Sequence, residues 1–258
     1  RHSLAHIMAQ AIQHLWPQAK FGVGPAIDNG FYYDIYLDNG TISEADLPKI
    51  EEEMRKIVAA NYPFERRDVS VEEAIDWAIS GDQSFKVELL NDLKRSGTTV
   101  ASELAGEKMG SVSDSDSKVE TVSLYSQGDY TDLCRGGHVD STGKVGAFKL
   151  TKTAGAYWRG NENNPQMQRI YGVAFATQEE LDEYLNRLEI AKQRDHRKLG
   201  KELDLYTTSP LVGIGLPLFT PRGTILRDIV AQYSNQLRQK FGFEKVWTPH
   251  ITKKDLYE

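Results

Sequence analysis

Apolar and polar positions recur along this chain with periods that change from region to region, and those periods predict its elements. Over residues 3–16, Leu4, Ile7, Met8, Ala11, Ile12 and Leu15 fall at i, i+3, i+4, i+7, i+8 and i+11. That spacing makes one apolar stripe on an α-helix, which Pro17 ends. Two strand-like runs, 20–27 and 31–37, flank Asp28-Asn29-Gly30, a hairpin signal because Asn and Gly accept positive φ. Residues 47–60 are predicted helical, with Leu47, Ile50, Met54, Ile57 and Val58 on one side and Pro48 tolerated in the first turn. A short strand near 64–69 leads to Ser70 and Glu73, a capping box that opens a helix ending before Gly81. Residues 85–93 read as helix, and 111–117, where Ser alternates with Asp and Val, as a solvated loop.

From residue 121 the pattern turns to strands, at 121–126, 144–153 and 166–175. Thr177 with Glu180 makes a second capping box, and one helix is predicted from there to about Leu205 along Leu181, Tyr184, Leu185, Leu188, Ala191 and Leu199. A Gly- and Pro-containing interval, 209–221, precedes a last helix over 224–240, with Ile225, Leu226, Ile229, Val230, Tyr233 and Leu237 apolar. Gly242 stands where a C-terminal cap belongs, and 243–247 reads as a strand before Pro249. The fold class is α+β. A two-layer domain of antiparallel sheet and helices is expected over 1–176, a linker helix over 177–205, and the beginning of another domain over 206–258.

Composition adds exclusions. With 40% apolar and 26% charged residues among 258, the chain is an ordinary globular protein rather than a disordered one. Its formal charge of −6 excludes coating nucleic acid through bulk charge and leaves room for a local basic face. The apolar runs fall short of the roughly 18 residues that a membrane span needs. A lone cysteine, Cys134, excludes an internal disulfide framework and fits a reducing compartment, so a cytoplasmic location is expected. Because it opens at Arg1 and stops at Glu258 mid-pattern, the chain reads as a piece of a longer protein.

Candidate chemistry centres on four residues. His2 and His6, four apart, share one helix face, centred roughly 170° from the apolar stripe. They face either solvent or a second packed surface, and such a pair alone is more often solvated. Cys134 and His138 repeat the spacing within Asp132-Leu133-Cys134-Arg135-Gly136-Gly137-His138. Three imidazoles and one thiolate around a point are a possible tetrahedral zinc set. Equally, they can surround a water that attacks an ester, with an imidazole as base. A nucleophilic Cys134 ranks below both, since a tight Gly-Gly turn separates it from His138. Asp132 shares a face with Cys134 in an extended segment, where its carboxylate can bind a substrate ammonium.

A second feature is charge. Residues 141–159 hold Lys144, Lys149, Lys152 and Arg159 without an acid, interleaved with Phe148, Tyr157 and Trp158. Such a surface can take phosphates on its cations and a base on an aromatic face. The competing reading is a β-meander with lysines outward and aromatics inward. The five cations of 192–201 read as the solvated face of a helix.

Taken in order, these motifs resemble a known family. His2-Ser3-Leu4-Ala5-His6, Asp132-Leu133-Cys134-Arg135-Gly136-Gly137-His138, Thr151 to Gly160 and Gln168-Arg169-Ile170-Tyr171-Gly172 are similar to the editing domain of bacterial threonyl-tRNA synthetases. Arg194 to Lys201 with Leu203-Asp204-Leu205-Tyr206 resembles that family's linker, and Gly242 to Pro249 resembles the first signature motif of class II synthetases, used at the dimer interface. Gly137 departs from the proline that many relatives carry.

The resemblance implies a parent that ligates threonine to its tRNA, with a second site that hydrolyses mischarged seryl-tRNA. Carried over by position, the editing residues are His2, His6, Lys86, Asp132, Cys134 and His138. Lys86 rests on the weaker Ser84-Phe85-Lys86-Val87 signal; on its own it would be an ordinary surface lysine. Lys149, Lys152, Tyr157, Trp158 and Arg159 are the expected tRNA contacts. Editing is expected to need no cofactor and no metal, whereas ATP, Mg and a zinc belong to the parent's catalytic domain, whose later motifs lie beyond these residues. A homodimer is implied for the parent. The competing readings are an alanyl-type or freestanding zinc-dependent editing hydrolase and a non-catalytic tRNA-binding module.

Overall fold

The computed structural model describes residues 1–96, 119–213 and 215–249. The serine-containing 111–117 stretch lies outside them. Two compact units divide the chain, Arg1–Tyr184 and Leu185–Glu258.

In the first unit, α1 (His2–Leu15) precedes β1 (Lys20–Phe21), β2 (Ala26–Ile27) and β3 (Gly30–Tyr36). Asn29 takes φ 60° at the hairpin, as the Asn-Gly pair predicts. The predicted 20–27 strand is split, because Pro25 lacks an N–H and Gly24 passes so close to Tyr33 that a Cβ there would lie 2.2 Å from its ring. Helix α2 (Leu47–Ala60) has its predicted bounds and ends on Asn61 in the left-handed region. After β4 (Glu65–Ser70), Ser70 Oγ accepts from Glu73 N at 3.1 Å to cap α3 (Val71–Ser80). The Glu73 carboxylate turns to Arg67 instead, at 3.5 Å. Helix α4 (Ser84–Ser96), β5 (Thr121–Gln127), β6 (Tyr130–Leu133), β7 (Ala147–Tyr157) and β8 (Gln166–Phe175) follow. Strand β6 escapes the periodicity because its inward positions hold Tyr130 and Asp132, breaking an apolar alternation.

All pairings are antiparallel. The large sheet runs β1-β3-β8-β7 with β2 on β3, and the small sheet runs β4-β5-β6. One apolar core joins α1 and α2 to the large sheet through Ile7, Met8, Ile12, Ile50, Met54, Phe31, Ile35 and Ile170. A smaller core, with Ala74, Ala78, Leu90 and Leu124, joins α3 and α4 to the small sheet. Phe85 and Leu89 of α4 also pack on Trp158 and Met167.

The α5 helix (Gln178–Gln193) starts with one half of its capping box made, Glu180 N to Thr177 Oγ1 at 3.3 Å, while the Glu180 carboxylate accepts from Ala176 N at 3.1 Å, one residue before the cap. It does not reach 205. Asp195 accepts from Arg197 N at 2.8 Å, a local bond that competes with the helical ladder and caps a separate α6 (His196–Glu202). Within the second unit, β9 (Tyr206–Thr207) pairs with β10 (Leu218–Phe219). Helix α7 (Pro221–Lys240) begins three residues before its predicted start, because Thr220 caps it and Pro221 suits its first position. Residues 243–249 are irregular rather than a strand: among the described residues no strand pairs with them, and an unpaired strand leaves its backbone groups without partners. Among the described residues, no helix is long and apolar enough to cross a membrane.

Candidate active site

Helix α1 carries two faces. Its apolar side meets the large sheet, while Ser3, His6, Gln10 and His14 meet the β5–β6 hairpin and the loop after it: Ser3 with His138, His6 with Asp132, Gln10 and His14 with Asp129. Of the two surfaces left open for the histidine pair, the packed one is occupied. His6 is only 2% exposed.

Beyond β6 the chain keeps pairing for one residue, Cys134 N to Ser123 O at 3.1 Å, then turns through Gly136 and Gly137 at φ 105° and 86°. Both values lie in the left-handed region that glycine adopts freely. A proline, locked near φ −65°, does not fit this turn at Gly137. The turn returns His138 to Cys134, with Cys134 Sγ 3.3 Å from His138 Nε2 and 2.9 Å from His2 Nε2. His138 stacks on Phe64, centroids 4.5 Å apart, and on His2, 4.6 Å apart. The donor atoms of His2, His6, Cys134 and His138 all lie within 4.8 Å of one another.

Beside this cluster sits a buried ion pair. Lys86 Nζ of α4 is 2.5 Å from Asp132 Oδ1 of β6, and both residues are under 4% exposed. Tyr33 of β3 donates its hydroxyl to Asp132 Oδ2 and accepts from Lys86 Nζ at 3.1 Å. His6 Nε2 stands 3.8 Å from the same Oδ2. A cavity of about 150 Å³, lined in part by Gln83, Lys86, Tyr130 and Asp132, reaches the pair.

Burial dominates the protonation states. It holds His6 well below its ordinary value and, with the neighbouring His2, pushes His138 down to about 4. It pushes the Cys134 thiol up to about 11. At Asp132 burial works the other way, yet the Lys86 ammonium and the hydrogen bonds from Lys86 and Tyr33 outweigh it and keep the carboxyl below its usual range. At neutral pH the site therefore offers neutral His6 and His138 rings, a protonated thiol and one compensated charge pair. Such a set can position a water and accept its proton; a thiol held as S–H is a weak nucleophile. The Cys-His₃ donors also suit a tetrahedral cation by type and closeness, at the cost of the thiol proton.

The six expected editing positions thus come together. Tyr33 and Ser3 were missed: Tyr33 reads as an ordinary strand aromatic, whereas Ser3 left a signal, a polar residue between two histidines on one helix face. Of the expected tRNA contacts, Trp158 and Arg159 are turned toward α4. Trp158 is 3% exposed and donates Nε1 to Glu88 at 2.8 Å, so its ring face is spent on the core. Arg159 reaches Asp92 at 2.5 Å and Glu88 at 3.1 Å, fastening the β7–β8 turn to α4. Lys149 pairs with Glu51 at 3.0 Å, and Lys144 with Asp140 at 2.7 Å. Lys152 lies over the Tyr171 ring at 4.8 Å, and Tyr157 is 46% exposed.

Comparison with known proteins bears on this geometry. Residues 122–171, from β5 into β8, match the family described as the threonyl and alanyl tRNA synthetase second additional domain. Over 258 residues, all of this chain, it is 48% identical to the threonine–tRNA ligase of Geobacillus sp. (strain WCH70). The chain aligns end to end with threonyl-tRNA synthetases. It is likewise 48% identical over 259 residues to threonine–tRNA ligase 1 of Bacillus subtilis (strain 168) and 47% identical over 258 to the ligase of Rubrobacter xylanophilus. In each case it spans 36% of the relative's length. The threonyl-tRNA synthetase resemblance read from the motifs therefore holds over the whole chain.

Proposed function

We propose that this chain hydrolyses the ester of mischarged seryl-tRNA, as the proofreading part of a cytoplasmic parent that ligates threonine to its tRNA with ATP. The observation that carries the reading is the convergence of His2, His6, Cys134 and His138 within 4.8 Å, beside the buried Lys86–Asp132 pair. Serine lacks one methyl of threonine, and a methyl discriminates by only about 1–3 kcal/mol, so a ligase site alone admits errors. A second pocket that excludes the larger side chain corrects them. In this scheme the domain spans 1–176, the linker 177–205, and 206–258 begins a class II catalytic domain that dimerises in the parent.

Roles follow from the chemistry of the bond. Ester hydrolysis needs a placed water and relief of charge on the leaving ribose oxygen. His2 and His6 position the ribose hydroxyl and the water, and Lys86 stabilises the developing charge. Cys134 and His138 form the wall against threonine's methyl. Asp132 was expected to clasp the substrate ammonium; with both oxygens engaged by Lys86 and Tyr33, we assign it to holding Lys86 and His6 in place. Lys149, Lys152 and Tyr157 remain the tRNA contacts, whereas Trp158 and Arg159 support α4.

The test is deacylation of seryl- and threonyl-tRNA side by side. Loss of serine with threonine spared is expected; hydrolysis of neither would overturn the reading and leave a tRNA-binding module. The reading also needs no metal. Elemental analysis of protein prepared without chelator is expected to find no stoichiometric zinc. One zinc per chain, lost in His6→Ala, would favour the alanyl-type, zinc-dependent alternative.

A further inference from the structure

Ser3 is 2% exposed and its hydroxyl has two neighbours of different kinds. Val139 N lies 3.1 Å from Ser3 Oγ, and an amide can only donate. His138 Nδ1 lies 3.2 Å from the same oxygen. The hydroxyl accepts a hydrogen bond from the amide; accepting from the ring as well would leave its own buried proton without a partner, so that proton is directed to the ring nitrogen. Nδ1 is then an acceptor and carries no hydrogen, so in the neutral imidazole the proton sits on Nε2. That Nε2–H points at Cys134 Sγ, 3.3 Å away, where the Gly136 amide also donates at 3.2 Å. With these two donors on sulfur, the thiol proton turns to the closest acceptor, His2 Nε2 at 2.9 Å.

We infer that Ser3 sets the tautomer of His138 and, through Cys134, the proton on His2, which makes Ser3 a positioning residue for the site. The hydrogen bonds run one way, from the Val139 amide through Ser3, His138 and Cys134 to His2. A buried group with a fixed backbone donor on one side acts as the orienting member of such a chain, as a second partner does for a ligating or catalytic imidazole. Alanine at position 3 removes both the acceptor for Val139 N and the donor to Nδ1, so His138 loses its preference. Threonine keeps the hydroxyl and restores it.

The first experiment reads the proton directly and does not depend on activity. Long-range ¹H–¹⁵N correlation spectra of chelator-treated, ¹⁵N-histidine-labelled protein at pH 7 are expected to show His138, assigned by its loss in His138→Asn, protonated on Nε2. In Ser3→Ala the Nδ1–H form should gain population, and Ser3→Thr should return to the parent pattern. His138 protonated on Nδ1 in the parent protein, or the same tautomer in Ser3→Ala, would overturn the inference. The parent spectrum alone decides if Ser3→Ala does not fold. The effect on rate rests on the proposed hydrolysis: kcat on seryl-tRNA should fall about tenfold or more in Ser3→Ala, with KM unchanged and Ser3→Thr restoring it. A parent that hydrolyses no seryl-tRNA would sink the proposed function yet leave the tautomer assignment standing. An active parent with an unchanged Ser3→Ala tautomer would do the reverse.

Discussion

Helices α1 and α7 both carry an apolar stripe, and they end in opposite environments. In α1, residues 3–12 are all buried, histidine, serine and glutamine included. In α7, Gly223 is buried while Ile225, Ile229, Val230 and Tyr233 are each at least 58% exposed. The difference lies in what surrounds each helix. A sheet takes the apolar side of α1, and a hairpin with matching polar groups takes the other. In the second unit, β10 is a two-residue strand and gives α7 little to pack on. Periodicity states which side of a helix would be buried; neighbours determine whether it is.

The widest contrast should appear in hydrogen exchange. Core amides of α1 are expected to open only with global unfolding, and those of 224–240 by local fluctuation, a gap of about a thousandfold or more in protection. Uniformly slow exchange across both helices in a monodisperse monomer would break the comparison. Truncation should follow the same division. Ile12→Ala is expected to cost about 2–5 kcal/mol in urea unfolding of the first unit, through lost burial and the cavity left behind. The same change at Ile229 should stay within about 0.5 kcal/mol, since little is packed there. Equal costs would show that α7 is covered in solution.

Activity sharpens the contrast from the buried side. Lys86→Ala is expected to lower the rate on seryl-tRNA by about 10²-fold, with a smaller effect on KM. Cys134→Ser should retain measurable hydrolysis, because in the proposed reaction the thiol is not the nucleophile. Parent-like turnover in Lys86→Ala, or an acyl group trapped on Cys134, would refute these roles.

The smallest effect concerns pH. His138 titrates at about 4 when folded and near 6.5 when unfolded, so the unfolded chain binds more protons between these values. Its contribution is complete above 6.5 and is lost as pH falls toward 4. His14 runs oppositely. Burial lowers its affinity for a proton, but Asp129 and Glu53 outweigh that and raise it, so its contribution is present at low pH and lost as pH rises. The urea midpoint of the parent should therefore fall between pH 6.5 and 4, and fall less in His138→Gln. Identical falls in the two proteins would remove His138 as a cause.

Local rules carried a large part of the fold. The bounds of α2, the Ser70 cap, the Asn29 hairpin and strand β8 are written in short-range pattern, because backbone geometry and capping bonds involve residues a few positions apart. The paired His and Cys-His spacings likewise marked the site: four residues make one helical turn between His2 and His6, while the Gly136-Gly137 turn returns His138 to Cys134. Other features depend on groups that are remote in the chain. Asp132 became inaccessible when Lys86 and Tyr33, 46 and 99 residues away, took both its oxygens. Trp158 and Arg159 have the composition of a nucleic-acid contact, and Glu88 and Asp92 turned them inward. Ser3 has a polar side chain whatever it touches; its opposition to His138 requires α1 and the Gly136-Gly137 turn to meet. Charge, aromaticity and hydrogen-bonding capacity belong to each residue alone, but their use is set by partners that only packing supplies.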